Sequence, residues 1–246
     1  MIRFILIVIF LIIYLVLSIP VFFAEWIIGK FNPHARDISS LRIVQAGFKL
    51  VILISGVKLT VIGEENIPDD TAVLYIGNHR SYFDIVLTYA RCKGLTGYVA
   101  KKEMLRIPLL STWMKFLHCQ FLDRSDIREG LKTILAAIEK IREGVSIMIF
   151  PEGTRSKNAS ELELLPFHEG SFKIATKSGC PIIPVCINHS SALFEDHFPR
   201  IRPAHVIIEY GKPIYPKELP REEQKFIGKY VQNVIAETLK KNASAV

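Results

Sequence analysis

Only four cysteines occur in the 246 residues, Cys92, Cys119, Cys180 and Cys186, with no CxxC and no regular ligand spacing. That scarcity excludes a disulfide-stapled scaffold and fits free, mostly buried thiols in a reducing compartment. HExxH is missing, as is any carboxylate-rich cluster, so no metal is expected. G-x-S-x-G is missing as well, which removes the serine-hydrolase elbow. No basic helix, zinc finger or aromatic-interleaved basic patch is present, so the formal charge of +7 does not point to nucleic acid. Internal repeats, low-complexity tracts and obvious interdomain linkers are absent too, and the most linker-like stretch is 30–40.

Charge is missing altogether from residues 4–24, FILIVIFLIIYLVLSIPVFFA. At about 1.5 Å per residue this run approaches the roughly 30 Å of a hydrocarbon core. It ends in bulky residues rather than a small-residue cleavage site, which argues for a retained anchor over a signal peptide. A second apolar stretch, 41–57, is interrupted by Arg42, Gln45 and Lys49. It reads either as an interfacial or re-entrant helix with snorkelling basic residues or as an ordinary helix packed on the globular part. Lys30, Arg36, Arg42 and Lys49 after the first run outweigh Arg3 before it. The positive-inside tendency then puts the body on the cytoplasmic face of a cell inner membrane. Excess positive charge there suits lipid headgroups and phosphates.

Beyond residue 57, short β-rich runs alternate with helical patterns, the mark of α/β layers. The expected fold class is α/β: a single mixed or mostly parallel sheet flanked by helices, with an N-terminal membrane-anchoring helical segment. The expected division is 1–57 for the membrane-associated helices and 58–246 for the α/β domain. Strands are predicted at 58–62, 72–76, 97–100, 145–150, 181–187 and 205–210. Leu131, Ile134, Leu135, Ile138 and Ile141 fall at helical spacing, with Asp126 and Glu129 placed for a capping box. A last amphipathic helix is predicted from about 222 to 240. The segment 105–117, with Trp113, reads equally as lipid-facing or as core.

The strand at 72–76 runs into Asn78-His79-Arg80-Ser81-Tyr82-Phe83-Asp84. A polar cluster leaving the C-terminal end of a buried strand is where open α/β sheets carry chemistry. A bend from loop into helix brings His79 over Asp84, which makes sense as a base and its orienter. Spacing alone permits a plain ion pair at a helix start. A second junction, Pro151-Glu152-Gly153-Thr154-Arg155-Ser156, follows the strand at 145–150. There glycine admits an anion to the backbone, and arginine offers a planar fork to phosphate. Ser81 is expected to cap a helix rather than attack substrate.

These blocks resemble those of the glycerophospholipid acyltransferases. "NHRSYFD" is similar to that family's first block, "HCQFLDR" at 118–124 to its second, "FPEGTRS" at 150–156 to its third and "IIPVCI" at 182–187 to its fourth. The likeness covers about residues 58–210, in the expected order. It implies that His79 and Asp84 are the catalytic pair. It further implies that Arg124, Glu152, Gly153, Thr154 and Arg155 bind the substrate's glycerol-phosphate part. The second block commonly opens with glycine where this chain has His118, and relatives often place a basic residue near His168 and Glu169. The implied reaction moves an acyl group from acyl-CoA or acyl carrier protein to the sn-2 hydroxyl of lysophosphatidate, at a membrane and without a cofactor. Glycerol 3-phosphate or another lysophospholipid is the alternative acceptor. A non-catalytic membrane lipid-binding protein is the alternative from a different class.

Overall fold

The structure is a computed structural model and describes residues 1–245. Two long helices, α1 (Ile2–Phe31) and α2 (Pro33–Ser55), come first. Next come β1 (Lys58–Ile62), β2 (Leu74–Gly77), α3 (Tyr82–Tyr89), β3 (Thr96–Lys101), α4 (Pro108–Phe116) and β4 (Gln120–Leu122). The chain continues through α5 (Ile127–Arg142), β5 (Ser146–Ile149), α6 (Lys173–Ser178), β6 (Ile182–Asn188) and β7 (His205–Tyr210), and closes with α7 (Arg221–Lys225) and α8 (Ile227–Asn242). The seven strands form one sheet in the order β1-β7-β6-β2-β5-β3-β4. Among the described residues, the β6–β7 pairing is the only antiparallel one between strands. The sheet is mixed and mostly parallel, as the alternation of elements implies.

Strand periodicity of two sorts the core into two layers. Leu74 of β2 stands opposite Ile147 and Ile182, and this face packs on Ile138 of α5, Ile174 of α6 and Val231 and Ile235 of α8. Tyr75, Met148 and Ile183 face the other way, against Leu87 of α3, Trp113 of α4 and Leu41 and Val44 of α2. The N-terminal helices therefore share a hydrophobic layer with the sheet. Leu74, Ile147 and Ile182 are fully buried, each contributing roughly 1.5–3 kcal/mol of transfer free energy.

Both N-terminal helices are long and apolar enough to cross a membrane by length and composition. Their inner side carries specific polar contacts: Trp113 Nε1 donates to Ser18 Oγ at 2.9 Å, and Ser39 Oγ donates to Glu25 Oε1 at 2.7 Å. On the outer side Ile9, Ile13, Leu17, Phe23 and Trp26 are exposed. Trp113 itself is buried, its ring 4.8 Å from that of Phe22, so α4 takes the core reading.

Four local expectations need correction. The stretch 30–40 is not a linker: Asn32 alone separates the helices, its Oδ1 accepting from Ala35 N at 3.0 Å while Pro33 starts α2. Proline at the first helical position loses no needed hydrogen bond, so the second helix starts at once. β4 is an additional strand of three residues, shorter than the spacing needed to display a period of two. Asp126 caps α5 from one side only, accepting from Arg128 and Glu129 N–H groups, because Glu129 turns to Lys132. The last amphipathic segment is two helices that meet at Phe226.

Candidate active site

The junctions after β2, β5 and β4 all leave the same end of the parallel strands. Gly77 lets the first of them pass close to β5: a Cβ there would lie 2.8 Å from Met148 Cε and 3.1 Å from the Phe150 ring. Asn78 then pins the loop to β6, donating to Ile187 O and accepting from Ile187 N, both at 2.8 Å. Ser81 caps α3, its Oγ accepting from Phe83 N at 3.0 Å, and Asp84 completes a capping box.

That cap positions the carboxylate. Asp84 is fully buried, and its Oδ2 accepts from Arg80 N and Ser81 N, each at 2.8 Å, as well as meeting His79 Nδ1 at 2.8 Å. An oxygen already fed by two backbone N–H groups is an acceptor, so the network assigns the ring proton to Nδ1 and leaves the Nε2 lone pair available. The imidazole is further fixed by stacking on Phe150, with centroids 4.2 Å apart and planes at 15°. Backbone ties hold the neighbouring loop, with Ser156 N donating to His79 O at 2.7 Å.

Phe150 also lines a cleft of about 470 Å³ between the ends of β4 and β5 and helix α5. Its polar lining mixes Arg124, Lys173 and His168 with the carboxylates of Asp123, Asp126 and Glu169, and Ile127, Leu131 and Ile134 form its apolar wall. Gly153 has φ +71°, the left-handed region that favours glycine. A Cβ there would lie 3.2 Å from the His168 imidazole and 3.8 Å from Arg124 Cζ. Arg124 and His168 thus converge on one stretch of backbone. Burial by the cleft walls lowers the Arg124 pKa from its ordinary value, with Glu103 opposing, and the guanidinium stays protonated.

Arg124 and Gly153 are therefore brought together, and Thr154 is exposed beside them. Arg155 turns elsewhere. Its guanidinium lies 3.7 Å over the Tyr82 ring and its Nη1 donates to Glu195 Oε1 at 2.9 Å. Glu152 is buried, its oxygens accepting from His79 N at 2.7 Å and Leu165 N at 3.0 Å. Burial raises its carboxyl pKa, while the two backbone N–H bonds pull it down. It braces the His79 loop from within. Asn78, Phe150 and Glu195 were not singled out from the sequence, since their contacts join segments distant along the chain. The cysteines offer no nucleophile: burial pushes the thiols of Cys92 and Cys119 up to about 11 and about 12.

The acyltransferase family model matches residues 58–188. The chain belongs to the acyltransferase family. Among its relatives, the 1-acyl-sn-glycerol-3-phosphate acyltransferase of Saccharomyces cerevisiae is 30% identical over 78% of this chain. The probable 1-acyl-sn-glycerol-3-phosphate acyltransferase of Mycoplasma pneumoniae is 28% identical over 87% of this chain and 82% of its own length. The yeast protein and other curated relatives are longer, and the matched part takes in 59% to 63% of their length. The crystal structure of the 1-acyl-sn-glycerophosphate (LPA) acyltransferase PlsC from Thermotoga maritima superposes with a TM-score of 0.73 at 27% identity, covering 93% of each chain. Coverage that broad takes in more than the sheet and its flanking helices alone.

Proposed function

We propose that this family member acylates the sn-2 hydroxyl of 1-acylglycerol 3-phosphate to give phosphatidate. The observation that carries the reading is the 2.8 Å His79–Asp84 pair beside the cleft of Arg124 and Gly153. The names of the relatives support the same acceptor. In the reaction His79 Nε2 takes the proton of the 2-hydroxyl as its oxygen attacks the thioester carbonyl. Asp84 stabilises the imidazolium that forms. Collapse of the tetrahedral intermediate breaks the C–S bond, and the imidazolium returns its proton to the leaving thiolate. Arg124 and the Gly153 backbone hold the 3-phosphate, with Thr154 and His168 at its edge, so that binding energy from the phosphate orients the hydroxyl. Arg155 supplies a second cation on the α3 side, and Glu152 keeps the His79 loop in register. Neither metal nor organic cofactor enters this scheme, because a thioester is already activated.

The membrane has a part in the scheme. The division proposed is 1–57 for the membrane-associated helices and 58–246 for the acyl-transfer domain. Phe4 of α1 stacks on Phe194 of the globular part and Phe22 packs on Trp113, 18 residues further on, about 27 Å along the helix. A helix held to one body at two such points favours immersion of its exposed face in one leaflet over a full crossing. Cytoplasmic-side attachment at the inner membrane then lets the acceptor's hydroxyl and phosphate reach the site while its tail stays in lipid. The donor is a water-soluble thioester, acyl-CoA or acyl carrier protein.

The test is acyl transfer by the full chain in detergent or vesicles with labelled palmitoyl-CoA or palmitoyl acyl carrier protein. The acceptors are 1-acylglycerol 3-phosphate, glycerol 3-phosphate and 1-acylglycerol. Phosphatidate from the first acceptor, with little product from the other two, is the expected result. Equal use of 1-acylglycerol would contradict a phosphate-holding role for Arg124.

A further inference from the structure

Glu195 stands outside every block that marks the family, in the turn between β6 and β7, yet it meets two parts of the site at once. Its Oε1 accepts from Arg155 Nη1 and from Tyr82 N, each at 2.9 Å. Tyr82 is the first residue of α3, the helix that presents Asp84 to His79. The Arg155 guanidinium is stacked 3.7 Å over the Tyr82 ring, so one carboxylate oxygen and one aromatic face fix the plane of the arginine. Glu195 Oε2 is buried with no partner, and among the described residues Arg155 is its ion-pair partner. The adjoining Phe194 stacks on Phe4 of α1 at 5.7 Å, which ties this turn to the membrane helix.

We infer that Glu195 is a positioning residue for the acceptor: with the Tyr82 ring it fixes Arg155 on the α3 side, as a second cation for the acceptor phosphate. This rests on the acceptor reading above. Two effects of the carboxylate oppose one another. Its negative charge repels a phosphate, whereas its hydrogen bond removes in advance the rotamer freedom that a long arginine must otherwise lose on binding. The ion pair is partly exposed and its charge partly screened, so the positional effect dominates. Removing Glu195 therefore weakens acceptor binding, although it deletes a negative charge.

The experiment compares Glu195→Ala, Glu195→Gln, Arg155→Ala and the Glu195→Ala/Arg155→Ala double variant in the full chain, reading KM for 1-acylglycerol 3-phosphate, kcat and thermal midpoint. Glu195→Ala is expected to raise KM about tenfold with kcat within about threefold. Glu195→Gln, which keeps an oxygen for Arg155, is expected to stay within about threefold of the parent in KM. The double variant is expected to match Arg155→Ala alone in KM, whereas a merely structural role would lower the thermal midpoint and leave KM for the acceptor unchanged. A KM that falls or stays unchanged in Glu195→Ala, or fully additive losses in the double variant, overturns the inference while leaving the reaction in place. Absence of transfer to this acceptor by the unaltered chain overturns the reading of the reaction, and this inference with it.

Discussion

His79 and His118 each meet a buried aspartate, at 2.8 Å from Asp84 and 2.7 Å from Asp37. Distance and burial do not separate these pairs; their surroundings do. Asp84 lies at the start of α3, where backbone N–H groups and the positive end of the helix favour an anion. Its histidine stacks on a ring that walls the Arg124 cleft. Asp37 lies inside α2, shares its charge with Arg36 at 2.6 Å, and reaches across 81 positions to the turn before β4. His118 has φ +57°, a left-handed conformation where glycine is at ease, which fits the glycine that the resemblance implies for the start of the second block. In the proposed transfer the first pair moves a proton, whereas the second clamps α2 to the loop leading into Arg124. A His–Asp contact thus acquires chemistry from the strand end and cleft beside it.

The contrast can be broken from either side. The largest effect is expected from Asp84→Asn, which removes the charge that stabilises the imidazolium while its amide oxygen can still accept the donors that converge on Oδ2. Loss of about 10³-fold in kcat follows, read in steady-state transfer. Arg124→Ala is expected to raise KM for 1-acylglycerol 3-phosphate about 30-fold with a smaller change in kcat, and to leave KM for the thioester donor alone. His118→Ala is expected to cost about 2 kcal/mol of stability, since it strands a buried Asp37 oxygen, with kcat within about threefold. His118→Gly recovers about 1 kcal/mol of that by relieving the left-handed backbone, as denaturant unfolding would reveal. The smallest effect concerns Asp123, next to Arg124. Hydrogen bonds from Ser125, then Lys102, hold its carboxyl down at about 2. A depressed acid contributes stability above its unfolded pKa and loses it as pH falls through the folded one, so its contribution fades between about 4 and about 2. Ser125→Ala is expected to move the Asp123 titration upward, followed by carboxyl NMR.

Legibility in the sequence followed range along the chain. His79 and Asp84 are five positions apart at a loop-to-helix bend, and the capping residue Ser81 lies between them, so their meeting follows from local geometry. Gly153 was legible as an anion-admitting turn for a similar reason. Glu152 entered as a substrate contact through the resemblance of the third block, while its carboxylate turns inward to two backbone donors. Arg155 carries the charge expected, while its partner Glu195 lies 40 positions away with no pattern to mark it. The same holds for Asp37 and His118. Strand order was illegible because alternation of strands and helices fixes layers, not neighbours. The polarity of 30–40 suggested a linker, although capping by Asn32 and a helix-starting Pro33 make it a turn between two helices.

The most direct test sets the two histidines side by side in the same membranes. His79→Ala is expected to lose about 10³-fold of kcat for phosphatidate formation with a smaller drop in unfolding midpoint than His118→Ala, because Asp84 keeps two backbone donors, whereas His118→Ala keeps kcat within about threefold. A folded His79→Ala variant that retains its turnover, or a His118→Ala variant that loses turnover as deeply, would contradict the assignment of the proton to the His79–Asp84 pair.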